Sequence, residues 1–142
     1  MKFAYKYFPT PDGGQDWWAV LPIQIANPAR HSPPTKRFEA LIDSGASLCL
    51  FHGGLARPIG LELEKGERSQ TTGISGQPTT IYLHDVSLYV PGGHLLRIRA
   101  GFSNELPLAG LLGRQGFFDK FRITFDSSSA PPGVEMERIY VA

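Results

Sequence analysis

The segment Ala40-Leu-Ile-Asp-Ser-Gly-Ala46 carries more information about fold and chemistry than any other part of this sequence. Three apolar residues lead into Asp43, so the carboxylate comes directly after a strand that we expect to be buried. A carboxylate in such a place is costly to desolvate unless it is paired or hydrogen-bonded. Gly45 lets the backbone turn tightly and offer its N–H to that carboxylate, and the Ser44 hydroxyl can brace the turn. Taken alone, Asp-Ser-Gly also fits an ordinary Asx-turn at a strand end.

The bulk composition is that of a soluble globular chain. With 142 residues, 42% of them hydrophobic and 19% charged, residues 1–142 are expected to form a single domain. The net charge is +1 and the 14 basic residues are scattered, which argues against nucleic acid or an anionic membrane as the main partner. No apolar run reaches transmembrane length, and the start of the chain does not resemble a secretory signal.

The sequence has a single cysteine, Cys49. An internal disulfide is therefore excluded, and a reducing compartment suits the chain, so we expect a cytoplasmic location. Cys49 stands between two leucines and is interpreted as a buried thiol rather than a reactive nucleophile.

Twelve prolines and sixteen glycines divide the chain into short segments rich in β-branched and aromatic residues, which predicts an all-β fold. The predicted strands are 3–8, 17–25, 37–43, 68–72, 79–90, 95–100, 108–112, 121–126 and 134–141. Residues 47–60 remain ambiguous, as a turn followed by a broken helical turn that Pro58 limits. The one predicted helix covers 114–120, where Phe117, Phe118 and Phe121 would crowd one side.

Two further motifs follow the Asp43 segment. Gly73-Ile-Ser-Gly76 lies about thirty residues further along, and Ala109-Gly-Leu-Leu-Gly-Arg114 precedes an aromatic stretch that ends at Asp126. In this order and spacing the three motifs resemble the retroviral-like (retropepsin) family of aspartic proteases. They correspond to its Asp-Thr/Ser-Gly signature, its glycine-rich flap tip, and its apolar-apolar-Gly-Arg strand end with the helix and closing strand that follow.

The resemblance implies a closed β-barrel with one short helix in its C-terminal half and an active site at a two-fold axis. In that family two carboxylates share a proton and activate a water molecule to hydrolyse a peptide bond. Carried over to this chain, the resemblance makes Asp43, Ser44 and Gly45 the catalytic segment of an aspartic endopeptidase that needs no cofactor and no metal. The substrate is a peptide or protein, contacted by Ala46, Ser47, Leu48, Gly73, Ile74, Ser75, Gly76 and Leu112.

Counting the motif agrees with the homodimer that the resemblance implies. Asp43-Ser-Gly45 occurs once, because Asp126-Ser-Ser128 lacks the glycine and Thr71-Thr-Gly73 lacks the carboxylate. A mechanism with two carboxylates therefore requires a second chain, and an isologous dimer would bring the two Asp43 side chains together.

The chain departs from the viral pattern at Ser47. Viral members usually carry a second acid there, which pairs with the arginine of the later Gly-Arg step, so Arg114 loses that ionic partner. This leaves open a retropepsin-fold dimerisation or peptide-binding module that cuts weakly or not at all. A third possibility is an unrelated ligand-binding β-barrel in which Asp43 is a structural turn residue.

Other candidate sites are weaker. The histidines at 31, 52, 84 and 94 lack metal-ligand spacing, so no metal site is expected. Gly73-Ile-Ser-Gly76 is not interpreted as a nucleotide-binding loop, because its flanks do not read as strand followed by helix.

Overall fold

The computed structural model describes residues 1–73 and 76–140. The described residues contain twelve strands. They are β1 (Lys2–Ala4), β2 (Lys6–Pro9), β3 (Gln15–Trp18), β4 (Val20–Ala26), β5 (Phe38–Ile42), β6 (Leu50–His52), β7 (Glu67–Thr72), β8 (Pro78–Val90), β9 (His94–Ser103), β10 (Gly110–Leu112), β11 (Phe121–Asp126) and β12 (Gly133–Arg138). None of the helices in these residues is long and apolar enough to cross a lipid bilayer.

Six of the strands close into a barrel. Their order is β4-β5-β10-β6-β9-β8, and β8 pairs back onto β4, while β7 extends the sheet from β8 outside the barrel. Closure pairs the backbone groups that an open sheet would leave at its edges. The predicted all-β closed barrel is confirmed.

The barrel interior is filled by the apolar side chains that alternate along these strands. In β4, Leu21, Ile23 and Ile25 are at most 1% exposed, as expected when every second residue faces the core. Phe51 and Phe102 are fully buried beside one another, with ring centroids 5.7 Å apart. Burial of these residues supplies the main driving force for closing the barrel.

Strand β10 lies between β5 and β6, although β5 and β6 are neighbours in the chain. It is parallel to β5, with Leu112 beside Ile42, and antiparallel to β6. Parallel strands point the same way, so β5 and β10 end at the same edge of the sheet. The two segments that follow, starting at Asp43 and Gly113, must therefore pass each other at that edge.

The ends of the chain form two smaller sheets outside the barrel. Strands β1, β12 and β11 make an antiparallel sheet, in which the N-terminal strand pairs with β12 of its own chain. Strands β2 and β3 form a two-stranded hairpin.

Most predicted strands are found, with shifted ends. The strand expected at 3–8 is divided at Tyr5, and the one expected at 17–25 is divided at Ala19. The ambiguous stretch 47–60 contains β6 and two 3₁₀ turns, Gly53–Leu55 and Arg57–Ile59, and a third 3₁₀ turn follows at Leu63–Lys65. The last strand ends at Arg138, and residue 141 of its predicted range lies outside the described residues.

The helix predicted over 114–120 is wrong. Gly116 has φ 102°, a left-handed conformation that a right-handed helix excludes. The N–H groups of Phe118 and Asp119 donate to carbonyls five residues back, at 3.2 and 3.0 Å, so the segment forms turns. The predicted aromatic cluster is nevertheless present, with Phe117 and Phe121 buried and their ring centroids 5.3 Å apart.

Phe117→Ala is expected to lower the free energy of unfolding by about 3–5 kcal/mol, because it empties a fully buried aromatic position. Phe125→Ala is the matched control, since Phe125 is 42% exposed and its loss should cost less than about 1 kcal/mol. Urea unfolding of the two variants measures both values. Equal losses would contradict the packing of residues 114–121 described above.

Candidate active site

The turn after β5 positions Asp43 through its backbone and its carboxylate. The Asp43 N–H donates to the Leu112 carbonyl at 3.0 Å, which ties the residue to the end of β10. Gly45 donates its N–H to Asp43 Oδ1 at 2.9 Å, as the sequence predicted, and Ala46 donates to the Asp43 carbonyl at 3.2 Å. The side chain is half-buried. This hydrogen bonding is that of an Asx-turn, and within residues 1–73 and 76–140 it engages only Oδ1 of the carboxylate.

The segment after β10 crosses the Asp43 turn at close range. Arg114 and Gln115 donate their N–H groups to the carbonyls of Ala46 and Ser47, at 2.9 and 3.0 Å. At Gly113, a Cβ would lie 2.6 Å from the Leu48 carbonyl carbon and 2.8 Å from the Ala46 oxygen. Only glycine lets the two backbones approach this closely.

Arg114 adds a side-chain contact to the same turn. Its Nη1 donates to the Ser44 carbonyl at 2.9 Å. The described residues place no carboxylate within ion-pair distance of its guanidinium, in agreement with the loss predicted from Ser47. A backbone carbonyl thus takes the place of the missing acid as an acceptor for Arg114.

A cleft of about 740 Å³ opens above Asp43. Most of its wall comes from the Asp43 turn, the β7–β8 hairpin and residues 103–107 at the end of β9. The lining residues are Asp43, Gly45, Ala46, Ser47, Leu48, Leu50, Thr71, Thr72, Gly73, Thr79, Ile81, Ser103, Glu105, Leu106, Pro107, Leu111 and Arg114. The volume is that of a ligand site rather than of a packing defect.

Several residues chosen from the sequence lie elsewhere. Leu112 is fully buried and does not line the cleft, so that prediction is wrong. Side chains alternate along β10, and Leu111 faces the cleft in its place. Ser44 is exposed beside the cleft and contributes its carbonyl to Arg114.

The predicted flap tip is described only in part. Gly73 lines the cleft and accepts a hydrogen bond from Gly76 N–H at 3.0 Å. Gly76 is exposed, has φ 74°, and is not part of the cleft wall. Ile74 and Ser75 lie outside the described residues.

The cleft wall formed by residues 103–107 has no recognisable signal in the sequence. Ser103 is buried and its Oγ accepts the Glu105 N–H at 3.1 Å, which shapes a turn that carries Glu105 and Leu106 to the cleft. This turn reaches the site because β9 pairs in parallel with β6, a pairing between residues about fifty positions apart. Sequence patterns report local structure, so they gave no indication of it.

The Cys49 thiol lies near the site and is explained by packing. Cys49 is buried, its Sγ lies 3.6 Å from the Gln115 carbonyl, and burial raises the pKa of the thiol to about 11. The interpretation of Cys49 as an unreactive buried thiol is consistent with this. In the part of the chain that the structure describes, no three His, Cys, Asp or Glu side chains are grouped as metal ligands.

A closed barrel with a central strand inserted between two consecutive ones, and an Asp-Ser-Gly turn at the crossing, is the architecture of retropepsin-like folds. The retropepsin-like aspartic protease from Rickettsia conorii is similar over 94% of this chain and 99% of its own, with 14% identity and a TM-score of 0.56. The EIAV protease, solved in complex with the inhibitor HBY-793, is similar over 68% of this chain and 82% of its own, with 15% identity and a TM-score of 0.51. No protein-family model and no curated protein matches this sequence. The chain has the retropepsin fold, which excludes a barrel of a different fold.

Gly113→Ala is expected to lower the free energy of unfolding by about 3 kcal/mol or more, because the added methyl group meets backbone atoms that cannot move away independently. Gly73→Ala is the control, since a Cβ there meets nothing within 4 Å. We expect it to change stability by less than about 1 kcal/mol. Denaturant unfolding followed by tryptophan fluorescence makes the comparison, and a neutral Gly113→Ala would refute the close crossing.

Proposed function

We propose that the protein is an aspartic endopeptidase that is active as a homodimer. One observation carries the proposal: Asp43 lies in the wall of a cleft of about 740 Å³, at the end of a barrel strand, with one carboxylate oxygen bound to the Gly45 N–H. The retropepsin fold of the chain supports the assignment but does not by itself establish activity.

The proposed chemistry uses two Asp43 carboxylates, one from each chain, that share one proton. The unprotonated carboxylate removes a proton from a water molecule, and the oxygen of that water attacks the carbonyl carbon of the peptide bond. The protonated carboxylate donates its proton to the carbonyl oxygen, which gives a neutral tetrahedral intermediate. Collapse of this intermediate breaks the C–N bond: the carboxyl group that took the water proton gives it to the leaving nitrogen, and the other carboxylate takes back the proton of one hydroxyl as the new carboxyl group forms.

The substrate would be an extended peptide or protein segment. The cleft presents apolar side chains, among them Leu48, Ile81 and Leu111, beside the hydroxyls of Thr71 and Thr79. Strand β7 pairs only with β8 among the described strands, so its other edge can pair with an added strand. Backbone pairing of this kind supplies affinity, and alternating side-chain pockets supply specificity.

A weakly active or inactive peptide-binding dimer is the second candidate. Ser47 and the Arg114 side chain, which contacts a backbone carbonyl in place of an acid, favour it. A single domain over residues 1–142, a cytoplasmic location and the absence of any cofactor requirement stay predictions.

Asp43→Asn is expected to reduce kcat/KM on an unfolded protein substrate by roughly 10³-fold or more, since the variant loses both the acid and the base. Glu105→Gln is the matched control, because Glu105 is the other carboxylate of the cleft. We expect Glu105→Gln to retain activity and both variants to remain folded. A pepstatin-type inhibitor should block cleavage by the wild type.

Full activity of Asp43→Asn would refute the assignment. If Asp43→Asn and Glu105→Gln both lose activity, the two carboxylates would form a catalytic pair within one chain. A folded dimer of wild type that cleaves nothing would favour the binding module.

Arg114→Gln is expected to lower kcat roughly 10- to 100-fold with a smaller change in KM, because the Ser44 carbonyl loses a charged hydrogen-bond donor that positions the Asp43 turn. Arg122→Gln removes the same charge from an exposed pair with Glu137 and should leave both constants unchanged. Steady-state kinetics on one peptide separates the effects. A rise in KM alone would make Arg114 a substrate contact and not a positioning residue.

A further inference from the structure

The β2–β3 hairpin forms a sheet of its own outside the barrel. Among the described strands, β2 and β3 pair only with each other, and they join the rest of the chain through Tyr5 and Ala19. In its register Tyr7 lies opposite Trp17, and Lys6 opposite Trp18. Directly opposed residues in an antiparallel pair point to the same face, so the hairpin has two distinct faces.

One face of the hairpin is directed toward the barrel. Phe8 and Trp18 are half-buried, with ring centroids 5.2 Å apart. Lys6, on the same face, forms an ion pair with Glu39 of β5. The hairpin is therefore seated on the barrel through this face.

The other face carries Tyr7 and Trp17, which we call the Tyr7–Trp17 face. The two rings lie 5.5 Å apart, and the residues are 45% and 48% exposed. A tilted pair of large aromatic side chains on the outer face of a short hairpin is costly to leave in water. Tyrosine and tryptophan are also the residues that most often dominate binding energy at protein interfaces.

The hairpin stands beside the Asp43 turn. Ile42 donates its N–H to the Ala19 carbonyl at 2.9 Å, and Val20 is paired with Leu41. The hairpin therefore joins β4 at Ala19, which is hydrogen-bonded to the residue that precedes Asp43.

We propose that the Tyr7–Trp17 face binds a second copy of this chain and forms part of the interface that brings the two Asp43 turns together. The choice of a second copy rests on the proposed function, because a site with one Asp-Ser-Gly turn is incomplete without it. In an isologous dimer each hairpin makes the same contact, so each of these aromatic residues contributes to the interface from both chains. The N-terminal strand is paired with β12 within its own chain.

The test is the dissociation constant of the dimer, measured by sedimentation equilibrium of the intact chain. Trp17→Ser, alone and combined with Tyr7→Ser, should raise that constant at least roughly tenfold. Trp17→Phe keeps an aromatic ring and should preserve most of the affinity. Leu95→Ser is the matched control: Leu95 is 58% exposed but lies eight residues before Ser103 on β9, about 26 Å along the strand from the cleft.

Thermal unfolding should show that the hairpin variants remain folded, because the altered side chains are exposed. In activity assays, Trp17→Ser should lose specific activity at low enzyme concentration and regain it at high concentration. A wild type that stays monomeric, or an unchanged dissociation constant in the double variant, would overturn the proposal. Weaker substrate binding with an unchanged dimer would also overturn it and assign the face to substrate.

The same measurements on Asp43→Asn separate this proposal from the proposed function. If wild type cleaves nothing but its dimer depends on Trp17, the hairpin interface stands and the peptidase assignment fails. If cleavage requires Asp43 but the dissociation constant of the dimer does not depend on Trp17, the peptidase assignment stands and the hairpin interface fails.

Discussion

The close crossing of two backbone segments, at Gly113 and the Ala46–Leu48 carbonyls, is the constraint on which the site depends. Strand β10 can lie between β5 and β6 only if the chain passes this point without a side chain. The crossing in turn supplies the hydrogen bonds from Arg114 and Gln115 that hold the Asp43 turn. The crossing that lets β10 complete the barrel therefore also positions the Asp43 carboxylate.

Arg114 illustrates how such a site tolerates the loss of a charge pair. In place of an acidic partner, its guanidinium binds the Ser44 carbonyl and so braces the turn within its own chain. A carbonyl acceptor is neutral, so this hydrogen bond forms without a carboxylate beside Arg114. The chain can thus brace the Asp43 turn without an acid at position 47.

Two predictions were wrong, one because of a backbone conformation and one because of strand register. The phenylalanines at 117, 118 and 121 indicated a helix, but Gly116 adopts a left-handed conformation and the segment becomes a series of turns with the same aromatic cluster. Leu112 was preferred over Leu111 for the cleft, although both are apolar and adjacent. Which of them faces the core depends on the register of β10 between its neighbours, and a slip of one residue would exchange them.

The sequence by itself determined the all-β class, the Asp-Ser-Gly turn with its Gly45–carboxylate hydrogen bond, the single copy of that motif and the absence of an acid at position 47 to pair with Arg114. Each of these follows from residue type, local turn chemistry or counting. Only the tertiary structure decided which residues wall the cleft, that the 103–107 turn belongs to it, and that the aromatic hairpin stands beside Asp43. These features arise from strand pairings between distant parts of the chain. Local sequence patterns do not predict which strands become neighbours.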